Sequence, residues 1–118
     1  MPAQGVKVER QGQVALVEFM DEQLLDEALL NDISSTLYDL LDTDTPVDVV
    51  LDFHRVRLIS SSMFGLLLRL HKRLALAHGR LKLCALPPSL QETFGLTKLD
   101  RAFDIYPDRA AAVASLAG

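Results

Sequence analysis

Val47-Asp48-Val49-Val50-Leu51-Asp52-Phe53, closely followed by Leu58-Ile59-Ser60-Ser61-Ser62-Met63-Phe64-Gly65, is the stretch from which the fold is read. The first run is dense in β-branched and apolar residues, follows Pro46 and gives way to the polar pair His54-Arg55. That pattern predicts a buried strand. The second run places consecutive hydroxyls at the mouth of a helix. From Ser62 to about His78, Phe64, Leu67, Leu68, Leu74 and Ala75 recur at three- and four-residue steps, with Arg69, Lys72 and Arg73 on the opposite face. The helix is therefore predicted to be amphipathic.

Outward from this centre, Gly79 supplies a helix stop and residues 80–86 form another strand. A strand, helix and strand joined by short links favour parallel pairing. Pro87-Pro88-Ser89 opens a short helix over 89–94, with Ser89 as cap and Glu92 completing a capping box. Residues 102–106 read as a last short strand, and Pro107-Asp108 starts an alanine-rich terminal helix. On the other side, residues 6–10 and 14–19 flank Gln11-Gly12-Gln13, a hairpin signal. Leu29-Leu30, Ile33, Leu37 and Leu40-Leu41 predict the first main helix, which Asp42-Thr43-Asp44-Thr45-Pro46 stops. The alternation implies an α/β fold: a mixed, mostly parallel sheet of about four to five strands with helices packed largely on one face.

Composition narrows the class. The 118 residues suit one domain with one core. A hydrophobic fraction of 49% is too high for a disordered chain, and 24% charged residues are too many for a membrane-embedded one. The formal charge of -4 argues against nucleic acid as the main partner. The start, Met1-Pro2-Ala3-Gln4-Gly5, lacks a basic segment followed by an apolar run, and no apolar stretch approaches the roughly 20 residues that span a bilayer. A cytoplasmic chain without membrane insertion is expected.

Catalytic and metal readings find little to stand on. Asp52, His54 and the serines suggest a hydrolase triad, yet the turn is not Gly-x-Ser-x-Gly. His71 and His78 sit nearly two helical turns apart and lack a completing carboxylate, so they read as solvated or helix-end histidines. Glycine-rich phosphate loops are missing from the sequence, and no cofactor is expected. Cys84, the one cysteine, lies in the apolar run Leu81-Lys82-Leu83-Cys84-Ala85-Leu86 and reads as a buried strand thiol.

The serine turn admits two roles. A serine at a helix start accepts from an unpaired backbone amide, a cap whose loss typically costs about 0.5–2 kcal/mol. A phosphoserine at the same place, with roughly −1.5 to −2 charge, would meet the free amides and positive dipole end of the helix. Capping is the commoner use, and one serine suffices for it.

The chain from Asp48 to about Leu116 resembles a STAS domain of the bacterial anti-sigma factor antagonist type. The resemblance is carried by an ordered set: Val49-Val50-Leu51-Asp52-Phe53, Ile59-Ser60-Ser61-Ser62, Gly65 with the following leucines, and Ala77-His78-Gly79-Arg80-Leu81-Lys82-Leu83-Cys84. Pro88 through Phe94 and Leu96-Thr97-Lys98-Leu99-Asp100-Arg101-Ala102-Phe103 complete it. The resemblance implies a single STAS-like domain over 1–118 that binds an anti-sigma factor, itself a serine kinase, with a serine phosphatase restoring the unmodified form. It implies a non-enzymatic partner switch in transcription regulation, in which phosphorylation weakens the complex. The family turn usually reads Asp-Ser-Ser/Thr-Gly; by position the acceptor is Ser61, with Ser62 and Ser60 as fallbacks. Ser60 stands where the family usually has aspartate, and Met63 where it usually has glycine. Leu24-Leu25-Asp26-Glu27-Ala28 occupies the place of the family's Gly-Glu/Arg-Leu-Asp turn, with Asp26 matching the aspartate. From the sequence alone Asp26 reads as a helix cap or first-turn carboxylate. The expected partner-binding set is Asp26, Asp52, Ser60, Ser62, Met63, Arg69, Lys72 and Arg73, although the three basic residues equally suit a solvated helix face. Related domains imply two other uses: a docking subunit of a signalling assembly or lipid transporter, and a small-molecule or lipid sensor.

Overall fold

A computed structural model describes residues 5–42 and 47–117. The first elements are the expected hairpin: β1 (Val6–Gln11) and β2 (Val14–Phe19) pair antiparallel with Gln11 opposite Val14. Gly12 makes the turn at φ 61°, a left-handed angle that a glycine adopts without a Cβ clash. The chain continues through β3 (Gln23–Leu24), α1 (Glu27–Leu41), β4 (Asp48–Asp52), β5 (Leu58–Ile59) and α2 (Ser61–Leu76). It closes with β6 (Leu81–Cys84), α3 (Pro88–Leu96), a 3-10 turn (Leu99–Arg101), β7 (Asp104–Tyr106) and α4 (Arg109–Ser115).

Five strands form one sheet in the order β1-β2-β4-β6-β7, and every pairing except β1 with β2 is parallel. The central strand β4 is buried on both faces, which is why it reads as a nearly continuous apolar run. Its alternate residues divide between two cores. Val49, Leu51 and Phe53 pack with Ile33, Leu37, Leu67 and Phe94, whereas Val50 packs with Leu16, Cys84, Ala112 and Leu116. Helices α1, α2 and α3 thus cover one face, and the short α4 covers the other.

Several boundaries differ from expectation, each for a physical reason. The buried stripe of α2 is Met63, Leu66, Leu67, Leu70 and Leu74. Leu68 is 41% exposed and Ala75 is exposed, because in a helix this rich in leucine two apolar stripes fit the spacing. The left-handed residue that ends α2 is His78 (φ 64°), not Gly79. Gly79 is needed for another reason: a Cβ there would collide with the Val47 carbonyl oxygen. Helix α3 begins at Pro88 with Pro87 as cap and no side-chain cap bond, so the expected Ser89–Glu92 box does not form. Ser89 Oγ instead donates to the Arg57 carbonyl at 3.4 Å. Strand β6 is shorter than residues 80–86, since Ala85 turns at φ 58°. The last strand likewise starts only at Asp104, after the 3-10 turn. The expected stop of the first helix at Thr43-Asp44-Thr45-Pro46, and the first residues Met1 to Gln4, lie outside the described residues. Among the described residues no helix is long and apolar enough to cross a membrane.

Candidate functional site

Two very short strands bring two helix starts together. β3 and β5 pair in parallel, Gln23 with Leu58 and Leu24 with Ile59, and the Ser60 N–H donates to the Leu24 carbonyl at 3.1 Å. Each strand runs almost directly into a capped helix. Asp26, with extended backbone, accepts from the Leu29 N–H at 3.2 Å and starts α1. Ser60, also extended, accepts from the Met63 N–H at 3.2 Å and starts α2. Both side chains satisfy amides that a first helical turn leaves unpaired. The shared register therefore sets the positive ends of two helix dipoles side by side.

The three serines diverge in role at this seam. Ser60 is partly buried and its hydroxyl is engaged as the cap. Ser61, the first residue of α2, is exposed. Ser62 is also exposed but lines a groove of about 230 Å³ between α1 and α2, with Glu27, Asn31, Ser34 and Arg69. Met63 is fully buried and anchors the helix start in the core, so it contributes packing and not contact surface.

The basic residues of α2 separate as well. Arg69 folds back along the helix: its Nη1 lies 3.2 Å from where a Cβ on Gly65 would sit, so the missing side chain makes room for the guanidinium one turn after Ser61. Arg73 stacks over the Tyr38 ring of α1 at 5.7 Å, joining the two helices. Lys72 is exposed.

Sequence reasoning missed the apolar rim of the seam. Leu25, one residue before the α1 cap, is 45% exposed, and Leu58, at the start of β5, is 51% exposed. Asp21, Glu22, Asp26 and Glu27 are exposed carboxylates on the same approach, with Arg57 held loosely by Glu22 at 3.7 Å. Exposed hydroxyls and exposed leucines at one seam have the makeup of a protein contact. Leu25 lies just past β3, whose two residues are too few to show alternation, so nothing in the sequence marks it as facing outward.

Asp52, also in the expected set, lies away from the seam. It projects from the α4 face of β4, opposite the serine seam, and is almost fully buried. Arg109 donates to it at 2.8 Å and 3.2 Å, and the His54 N–H and Nδ1 lie at 2.9 Å. Burial pushes the Asp52 carboxyl up, but the bonds from His54 and Arg109 outweigh this and hold it below its ordinary value. Glu18 is also lowered, chiefly by its hydrogen bond from Arg55 at 2.9 Å. The Asp52–His54 contact imagined for a hydrolase does form, but His54 Nε2 faces Glu18 at 3.5 Å and the serines lie on the other side of the sheet. Cys84 is buried as expected, and burial pushes its thiol up to about 12. His71 packs edge-on to Phe103 at 5.6 Å, and among the described residues no group of three His, Cys, Asp or Glu could hold a metal ion.

The family model of the STAS domain matches residues 6–112. An anti-sigma-factor antagonist (STAS) domain protein from Planctomyces limnophilus is similar at 26% identity and TM-score 0.86, over 96% of this chain and 98% of that one. An anti-sigma factor antagonist from Mycobacterium paratuberculosis is similar at 21% identity and TM-score 0.79, over 93% and 91% of the two chains. The phosphorylated form of the Bacillus cell fate determinant SpoIIAA shares the fold at 16% identity and TM-score 0.73, over 94% and 98%. No curated protein matches the sequence.

Proposed function

We propose that this chain, which belongs to the STAS domain family, acts as a cytoplasmic anti-sigma factor antagonist: a non-enzymatic module that docks an anti-sigma factor through the paired starts of α1 and α2 and is released by phosphorylation of Ser61. The observation that carries the reading is the exposed Ser61 at a seam whose two strands also carry exposed leucines, Leu58 and, just past β3, Leu25, with the neighbouring Ser60 hydroxyl already engaged as a cap. A partner that docks across the seam and buries the two leucines would cover the Ser61 hydroxyl as well. A phosphoryl group there carries roughly −1.5 to −2 charge and a tight hydration shell, which a docked face must strip or repel unless basic groups meet it. The anti-sigma factor, acting as a serine kinase, would supply ATP and magnesium, and a serine phosphatase would reset the cycle.

Ser60 and Met63 support a second reading. With serine in place of the family's usual aspartate and a core-buried methionine in place of its glycine, the turn is built for rigid docking as well as for modification. That suits a constitutive subunit of a larger signalling or transporter assembly. The deciding experiment incubates the protein with its anti-sigma factor and ATP-magnesium, maps phosphate by peptide mass spectrometry and follows the complex by gel filtration. Phosphate on Ser61 with loss of the complex establishes the switch, and Ser61→Ala then keeps the complex while losing the phosphate. A stable complex that accepts no phosphate establishes the docking subunit.

A further inference from the structure

Strand β1 forms an open edge of the sheet. Among the described residues it pairs with β2 alone, over all 6 of its residues and without a bulge, whereas the opposite edge, β7, has 3 residues and is followed by Pro107. Short strands and prolines blunt an edge, but a longer regular strand offers its outward backbone groups to another strand. Which groups β1 offers follows from the hairpin. The two-residue loop makes Gln11 and Val14 a hydrogen-bonded pair, and at the other end the Met20 N–H donates to the Gly5 carbonyl at 2.9 Å, so the odd-numbered residues bond β2. The backbone groups of Val6, Val8 and Arg10 therefore point outward.

The side chains of this edge divide by face. Val6 and Val8 lie on the side of the main core, and Val8 is only half-buried, so that core is left unfinished at the edge. Lys7 and Glu9 lie on the α4 side, opposite Glu18 and Leu16, and both are exposed. Lys7 has no ion-pair partner among the described residues. Glu9 meets the Arg109 Nη1 at 3.8 Å, too long for a hydrogen bond, while Arg109 is held more closely by Asp52 and Glu18.

We infer that β1 pairs antiparallel with β1 of a second copy about a two-fold axis at Val8, joining the two sheets edge to edge. In this register Val8 meets the second copy's Val8 through outward backbone groups, and Val6 lies against the stem of the second copy's Arg10. Each Lys7 then stands opposite a Glu9, twice by symmetry. An axis at Lys7, Glu9 or Arg10 instead sets like charges directly opposite one another. A lysine on an edge strand ordinarily discourages a second copy; Glu9, two residues on and on the same face, turns it into an attraction in one register. A single strand edge is smaller than the roughly 800 Å² per partner of a stable dimer, so the association belongs to high protein concentration. β1 shares no residue with the serine seam, and the inference does not rest on the docking role.

Sedimentation velocity from about 10 µM to about 1 mM, the range suited to a small interface, tests it. The protein should pass from monomer to dimer, and amide exchange at Val8 and Arg10 should slow in the dimer. Lys7→Glu and Glu9→Lys, both at exposed positions, should each weaken the dimer about tenfold, since each sets two like-charge pairs across the axis. A one-to-one mixture of the two variants should recover a dimer of wild-type strength, because every cross-strand pair is then again of opposite charge. A protein that stays monomeric throughout leaves the edge to a strand of another chain and overturns the inference. So does a dimer that the single changes leave intact, or a mixture no tighter than either variant alone.

Discussion

Ser60→Ala and Ser61→Ala, one residue apart, are expected to act on different properties. Ser60 caps α2 through its hydroxyl, and cap losses span about 0.5–2 kcal/mol. The position within that range follows from the local bonding. The Met63 amide that loses the hydroxyl also donates to the Ser60 carbonyl at 3.0 Å, so it is not orphaned. The cost therefore falls in the lower half, about 0.5–1 kcal/mol. For a chain of this length that lowers Tm by roughly 2–5 °C. Ser61 is exposed and makes no side-chain hydrogen bond among the described residues, so its loss should change stability by less than about 0.5 kcal/mol. Calorimetry of both variants, run beside phosphate incorporation by the partner kinase, should separate them. Ser60→Ala melts earlier and still accepts phosphate, whereas Ser61→Ala melts unchanged and accepts none. If Ser60→Ala melts unchanged while Ser61→Ala loses more than about 1 kcal/mol, the capping assignment, and with it the free hydroxyl at Ser61, is wrong.

Three further outcomes follow from the core. Asp52 is held below its ordinary value, so its ionised form adds stability that is complete above the unfolded carboxylate range near about 4 and is lost as pH falls through the lowered folded value; Asp52→Asn should flatten the acid limb of Tm against pH, and an unchanged limb would count against the ion pair with Arg109. Cys84, with its thiol pushed up to about 12 by burial, should resist iodoacetamide at pH 8 at native conditions and react only at the rate of unfolding, as a comparison of labelling with and without urea will show. Gly79→Ala should destabilise by about 1–3 kcal/mol in urea denaturation, because its Cβ has nowhere to go beside the Val47 carbonyl; a neutral result would mean that the strand start is free to shift.

What was legible in the sequence was local. The hairpin at Gly12 and the β4-α2-β6 unit announce themselves through a turn residue and through alternation of apolar runs with helical spacing. Where two readings satisfied the same local pattern, a long-range contact decided. Gly79 suits a helix stop by itself, but its close approach to Val47 lies 32 positions back along the chain, while His78 takes the left-handed angle. Ser89 and Glu92 match a capping box, yet Pro87 and Pro88 fix the backbone of the first turn and leave no side-chain cap bond. Asp52 was legible as strand but not as to side. A central strand buried on both faces has no apolar–polar alternation, and only the placement of Arg109 on α4 shows where the carboxylate points.

The seam itself rests on two-residue strands, too short to carry any period, so the pairing of Leu24 with Ile59 had no sequence signal. Its consequence is the strongest constraint on the proposed switch. A phosphoryl group on Ser61 would gain from the α2 dipole about 0.3–1 kcal/mol, and Arg69, folded over Gly65, lies one turn away. Against these stand Asp26 and Glu27 at the adjoining helix start, brought near by the same register. Attraction and repulsion of similar size act on an exposed group in water, where each is screened. The phosphate should therefore leave the fold of this chain almost unchanged. Its full effect appears only when a partner excludes that water to bury Leu25 and Leu58, since a doubly charged group resists desolvation far more than a hydroxyl does. The switch thus acts on the complex, and a phosphorylated chain that unfolded more readily than the unmodified one would contradict it.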